Sequence, residues 1–392
     1  MKKHLIAAAV AAAVVAPAAM AQQVTVYGII DAGYMSTKTV SAANPAVTAK
    51  TSTMGADGAL SGSRLGFRGT EDLGGGLKAN FQLEMGLANP TDDGMIANAS
   101  NRFSFVGLSG GFGEVRIGRF PTLNKLINDS TVFGGASFTT AGASNSGWGW
   151  TAQANGAGVS NERINNAFHY ISPSFSGVNL QLQLVDDVND ASTDTAAKTR
   201  VEGAFIGINY AAGPLALRYA NKNVKSETAA GAAPAATGTS FNGTLRLDPV
   251  FGLVNNITQA GSLAVAAVEE TKVKQDSVLA SYDFGVARVV YTYNNTKTSP
   301  LTAANELKRT DNTLGVAVPL GTITLLGQYG TGTQKAVGTA DDKLKGLQLG
   351  AVYTLSKRTN VYAVYGDGEN KDGATGRKAT DEVWALGLRH SF

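Results

Sequence analysis

The chain of 392 residues has no cysteine and only three histidines. The first absence excludes a disulfide framework and any thiolate metal site. The second leaves His169 and His390, far apart in sequence, a poor basis for a metal centre or a general base. Proline is scarce, ten residues against forty-seven glycines, as suits many strands joined by tight turns. Past the first twenty residues, no stretch approaches the roughly eighteen consecutive apolar residues of a spanning helix. The net charge is only +3, and Lys2 and Lys3 contribute to it, so there is no basic excess to suit nucleic-acid binding.

What is present begins with a leader. Met1-Lys2-Lys3-His4 is basic, Leu5–Val15 is apolar, and Ala19-Met20-Ala21 is a small-residue cleavage site. That order predicts a secretory signal peptide over residues 1–21 and one domain over 22–392. An exported chain without spanning helices is soluble or crosses a membrane as strands, because only helices and closed barrels satisfy their backbone in lipid.

The stretch Ser63–Leu87 decides between these. Leu77, Ala79, Phe81, Leu83, Met85 and Leu87 alternate with Lys78, Asn80, Gln82 and Glu84, the two-residue period of a strand with one apolar and one polar face. Leu65 and Phe67 oppose Arg64 and Arg68 in the preceding arm, across the turn Glu71–Gly76. A charged inner face does not suit a soluble sandwich. An apolar face of roughly ten residues does suit a tilted membrane strand.

The same alternation recurs along the chain. It predicts Phe103 and Phe105 outward with Arg102 and Ser104 inward, and Val115 and Ile117 outward with Glu114 and Arg116 inward. It is interrupted by a polar stretch over Thr37–Gly62 and by two long insertions, Pro121–Asn161 and Asn223–Thr271. Loops of that length are commonly functional; within the second, part of Leu245–Val268 can pair as a hairpin. About sixteen strands result, with short turns alternating with long polar loops. Tyr34, Tyr219, Tyr282, Tyr353, Trp384 and Phe392 sit near strand ends, as interfacial aromatics do. The expected fold is all-β, a 16-stranded antiparallel transmembrane β-barrel.

Several blocks resemble the general porins of the β-proteobacterial outer membrane. They are Val24–Asp31, Ser63–Gly74, Gly118-Arg119, Tyr170–Gly177, Tyr353–Thr359 and the ending Gly387–Phe392. Spread from first strand to last, they cover essentially the mature chain. The resemblance implies a homotrimer and a third external loop folded inward as a constriction, which Pro121–Asn161 would supply. Asp129 and Phe133-Gly134 are similar to that loop's acidic and Phe-Gly positions. Phe392 resembles the aromatic end read by the outer-membrane assembly machinery, and outer-membrane lipids and lipopolysaccharide are implied neighbours.

Alternation puts Arg64, Arg68, Lys78, Arg102, Arg116, Arg163, Arg218, Arg288 and Arg389 inward, against Asp31, Glu84 and Glu114. Rings of basic side chains favour anions. The function expected is therefore a passive, weakly anion-preferring channel for small hydrophilic solutes and ions. Arg64, Arg68, Arg116 and Arg163 would form the constriction wall, faced by Asp129 from the loop. No cofactor or metal is implied: the acidic run Asp367–Gly373, read as an external loop, carries Lys371 where calcium would need an oxygen. Gly107-Leu108-Ser109-Gly110-Gly111 matches a hydrolase elbow, but that motif needs a helix after it, and Glu114–Arg119 reads as a strand. A barrel phospholipase is disfavoured by the histidine count. A substrate-specific channel, or an adhesin using the long loops, is the alternative reading.

Overall fold

The computed structural model describes residues 23–41, 48–57, 60–87, 100–134, 163–189, 198–229, 245–248, 252–255, 269–300 and 306–392. The predicted leader and the tryptophans Trp148 and Trp150 lie outside them. In chain order the strands are β1 (Gln23–Val40), β2 (Thr48–Asp57), β3 (Arg64–Gly74), β4 (Leu77–Gly86), β5 (Ser100–Gly110) and β6 (Gly113–Pro121). A short helix follows, α1 (Leu123–Asn128), then β7 (Arg163–Ile171), β8 (Val178–Asn189), β9 (Lys198–Ala212) and β10 (Leu215–Ala229). After β11 (Leu245–Asp248) and β12 (Gly252–Asn255) come β13 (Glu269–Asp283), β14 (Arg288–Pro300), β15 (Leu307–Leu320) and β16 (Ile323–Ala336). The chain ends in β17 (Asp342–Thr354), β18 (Thr359–Lys371) and β19 (Lys378–Ser391).

Each wall strand pairs antiparallel with its sequence neighbour, and β1 closes the ring on β19 from Ile29↔Ser391 to Val40↔Thr380. The outer half of β1 pairs with β2 and the inner half with β3, so these two are segments of one wall strand. The result is a closed 16-stranded antiparallel barrel. Closure leaves no unpaired edge, the condition for placing a sheet in hydrocarbon. β11 and β12 form a separate hairpin within the second long insertion, as the sequence allowed.

The wall's outer face is apolar: Val106, Ile117, Leu184, Ile206, Leu314 and Leu386 are all exposed. Buried on the inner face are Gln183, Gln275, Asn294, Gln328 and Gln348. The upper boundary of the apolar band is marked by hydrogen bonds. Tyr219 donates to Asp276 at 2.7 Å, Tyr291 to Asn312 at 2.7 Å, Tyr34 to Ser52 at 3.1 Å and Trp384 to Glu382 at 3.0 Å. In every case the acceptor lies two residues nearer the end carrying the long loops. Such rings keep an apolar body in hydrocarbon and a polar tip in the headgroup layer.

The sequence reading needs three corrections here. The polar stretch Thr37–Gly62 is not all loop, because β1 runs to Val40 and β2 pairs with it. Asp367–Lys371 belongs to β18 and not to an external loop. Above the aromatic level the outward face meets water instead of lipid and carries polar residues as the inward face does, so the apolar/polar alternation that reveals strands in lipid disappears. Third, Phe103 and Phe105 face inward. A bulge between Glu84 and Met85 sets both Arg102 and Phe103 opposite Glu84, which reverses the parity of β5. Arg102 stays inside only because the bulge falls at it.

Candidate functional site

The site is built by the segment that leaves β6 and turns into the barrel. Thr122 caps α1, its hydroxyl accepting from the Lys125 N–H at 3.1 Å, a contact typically worth about 1 kcal/mol. Leu123 and Ile127 are buried with Phe105, Phe120, Ile164, Phe205 and Val290. Burying a side chain of this size stabilises by about 1.5–3 kcal/mol, so apolar residues on the inner wall hold the helix there.

Polar contacts fix its course. Asn124 donates to Ser277 Oγ on β13 at 2.8 Å. Arg218 donates to Ser130 Oγ at 2.7 Å, and Arg288 to the Thr131 carbonyl at 3.4 Å. The tip then reaches the far wall, where Phe133 packs with Leu60, Tyr362, Val364, Val383 and Ala385. Glycines make the room: a Cβ on Gly315 would meet Val132 at 2.8 Å, and one on Gly350 would meet Phe133 at 2.9 Å. The segment thus crosses the lumen from the β10–β13 side to the β17–β19 side, as an inward-folded constriction loop.

Opposite its anchor lies an ionic cluster on β1, β3, β4 and β5. Arg102 is ion-paired to the buried Glu84 at 2.6 Å. Tyr27 donates to Glu84 at 3.0 Å and accepts from Gln82 at 2.6 Å. The Arg68 guanidinium lies over the Tyr27 ring, 5.3 Å from its centre. Arg64 donates to the Gly62 carbonyl at 3.1 Å and to Ser61 Oγ. Of these three guanidiniums, Arg102 pairs with Glu84, Arg64 lies within its electrostatic reach, and Arg68 rests on the tyrosine that donates to it. Asp129 is bound to Lys125 at 3.0 Å and lies within electrostatic reach of Arg64, so much of its charge is balanced inside the loop.

The other predicted residues take different positions. Arg116 grips Glu114 at 2.8 and 2.7 Å and stacks on Phe105, 4.7 Å from the ring centre. Arg218 and Arg288 hold loop oxygens. Lys78 is exposed beside the turn at the barrel's short-turn end, paired with Asp72 across the hairpin. The β6–β7 ladder breaks between Gly118 and Phe120, and Asn166 takes φ 45°. Ile164 shares the buried side of Phe120, so counting by twos from His169 does not carry through to Arg163. Arg389 pairs in register with Asp31.

Two residues named from the sequence take buried roles that it did not reveal. Asp31 is fully buried, its Oδ1 accepting from Tyr362 at 2.6 Å, while its backbone N–H donates to Ser63 Oγ at 3.0 Å. It anchors the segment where the chain re-enters β3. His169 is buried against Phe120, with ring centres 5.5 Å apart.

The model of the family described as Gram-negative porin matches residues 7–373. Outer membrane porin protein 32 of Delftia acidovorans is 34% identical over 410 residues, covering 100% of both chains. An outer membrane porin of Bordetella pertussis is 30% identical over 415 residues, also covering 100% of both. Among solved structures, an anion-selective porin from Comamonas acidovorans aligns with TM-score 0.66 and 28% identity, covering 95% of this chain and 100% of its own. OmpT of Vibrio cholerae, at TM-score 0.63 and 15% identity over 95% of this chain and 98% of its own, shares the fold.

Proposed function

The chain belongs to the Gram-negative porin family, a channel of the bacterial outer membrane, and we propose that it conducts small hydrophilic solutes and ions passively with a preference for anions. One observation carries the preference: Arg64, Arg68 and Arg102 lie together on the wall left clear by the loop's anchor, and of these three only Arg102 is ion-paired, to Glu84, among the described residues. Fixed cations beside a narrowed aqueous path, between walls of low dielectric, stabilise a passing anion more than they would in open water. The comparison with the anion-selective porin from Comamonas acidovorans supports the same sign. A role in the field of the pore is assigned first to Arg64 and Arg68. Arg116 with Glu114, and Arg218 on the loop, contribute less because their charge is met locally. Lys78 acts at the inner mouth, Asp129 tempers Arg64, and Arg163 no longer carries weight.

The test is the reversal potential of the purified, refolded protein in a planar bilayer across a potassium chloride gradient. An anion-favouring potential is expected, reduced in Arg64→Gln/Arg68→Gln. Arg102 is left in place because its removal would strand the buried Glu84 carboxylate. A cation-favouring potential in the wild-type protein overturns the proposal. Homotrimeric assembly, implied by the family resemblance, is checked by the mass of the native complex in detergent. The aromatic end Phe392, whose backbone pairs with Gly28 at 3.1 and 3.2 Å, is proposed as the assembly signal. Loss of outer-membrane insertion in Phe392→Ser would support that role.

A further inference from the structure

Beneath the anchored end of the constriction loop the lumen wall carries a recess of about 220 Å³, lined by α1 and by β8, β9 and β10. Three strands build its wall in register. Asn179 on β8 stands directly opposite Asn209 on β9, and Asn209 directly opposite Arg218 on β10. One step further from the short turns, Gly207 stands opposite Ala220, and these small residues give the recess its depth. The helix forms a roof of Leu123, Leu126 and Ile127. Gly207 seats that roof, since a Cβ there would meet the Leu123 side chain at 2.8 Å. The recess therefore has one apolar side and one polar side.

The polar side keeps open hydrogen-bonding capacity. Asn209 and Gln181 donate to Asn179 Oδ1 at 3.0 and 3.4 Å, which leaves the Asn179 amide N–H groups without a protein acceptor among the described residues. Arg218 uses only Nη1 on the loop, donating to Ser130 Oγ at 2.7 Å and to the Leu126 carbonyl at 3.4 Å. Its Nε and Nη2 have no partner among the described residues. The loop oxygens are neutral, so they solvate the guanidinium without cancelling its charge. Arg288 lies within electrostatic reach of it, and neither arginine is ion-paired among the described residues.

These two sides select a ligand class. A half-buried guanidinium with part of its planar fork open matches a carboxylate. The roof disfavours a bare inorganic anion, which would lose hydration there and gain nothing from leucine and isoleucine. A carboxylate joined to an apolar body satisfies both. Volume sets the size of that body: an apolar cavity of about 150 Å³ holds a benzene ring, so the recess accommodates one ring with its carboxylate attached.

We propose that this recess binds a small aromatic monocarboxylate, with its carboxylate on Arg218 beside the amide row and its ring under Leu123, Leu126 and Ile127. A bound acid narrows the aqueous path on the short-turn side of the loop. The proposal rests on the channel reading for the solute's access, and not on the sign of ion selectivity. The probe is benzoate, with acetate and benzyl alcohol as partial mimics, titrated calorimetrically onto the refolded full-length protein in detergent. Saturable binding of benzoate is expected, at least tenfold tighter than that of either mimic. Arg218→Gln should weaken it at least tenfold. Because Arg218 also holds the loop, Ala216→Leu is the second variant. Ala216 lines the recess near the start of β10, and its replacement should weaken binding as much by filling the space. Acetate bound as tightly as benzoate would make this a bare anion site, and benzyl alcohol bound as tightly a merely apolar one; either overturns the proposal. Unchanged binding in Ala216→Leu, with loss in Arg64→Gln/Arg68→Gln instead, places the acid at the ionic cluster and overturns it too. Wild-type protein that conducts in a planar bilayer yet shows no saturable binding overturns this proposal and leaves the channel reading standing. Binding without conductance does the reverse.

Discussion

At the scale of single residues, the same side-chain types serve opposite ends depending on what they meet. Asp31 and Glu84 read alike in sequence as inward acids, yet Asp31 is a latch and Glu84 the centre of a cationic cluster. Leaving a buried hydrogen-bonding group without its partner costs about 1–3 kcal/mol, more when it is charged. Asp31→Ala is therefore expected to lower stability by about that amount, and Tyr362→Phe by somewhat less, read as a drop in denaturation midpoint in detergent. Unchanged midpoints in both would remove the latch. The face of most inward arginines was legible, because a two-residue period needs no tertiary information. Phe103, Phe105 and Arg163 were not, because one bulge at Glu84 and another near Asn166 shift the count and leave no mark in the pattern. Which arginines are free to act on an ion depends on neighbours distant in sequence: Arg116 on Phe105, Arg218 on Ser130.

At the scale of elements, the membrane itself decides what a sequence reveals. Val24–Ser36 alternates plainly, whereas Thr48–Asp57 is a strand of small polar residues that looks like loop. β14, β16 and β18 likewise run on past their outward tyrosines Tyr291, Tyr329 and Tyr365, to Pro300, Ala336 and Lys371. Hydrocarbon imposes an apolar outward face, and above it water lets that face be as polar as the inward one. The constriction loop's position in the chain was readable from its length, but its seat was not, since that depends on recesses at Gly315 and Gly350. These recesses yield a direct test. In Gly350→Val the added side chain would occupy the space of the Phe133 ring, forcing the loop tip away from the far wall. Single-channel conductance should rise and its noise increase, with the barrel still folded. An unchanged conductance would mean that Phe133 does not set the width of the path.

At the scale of the whole molecule, two sets of cations surround one aqueous path at different distances. Arg64 and Arg68 are proposed to line it, whereas Lys274, Lys297, Lys308 and Lys335, opposite one another on β13 to β16, are exposed on the outside of the wall. Screening separates them, because the Debye length is about 10 Å at 0.1 M salt and about 3 Å at 1 M. At low salt both sets add to the field an ion meets at the mouth and in the lumen. At 1 M only charges within a few ångströms of the ion's course still act. The anion preference should therefore decline as bath potassium chloride rises from about 0.1 to 1 M without vanishing, since the narrowest part keeps permeant ions close to the arginines. A variant with Lys274, Lys297, Lys308 and Lys335 all changed to glutamine should match the wild type at 1 M and fall below it only at low salt. Arg64→Gln/Arg68→Gln should be weaker at both. If the preference proved insensitive to salt in all three proteins, fixed charge would not be its source, and selection would have to rest on the shape of the path beside the loop.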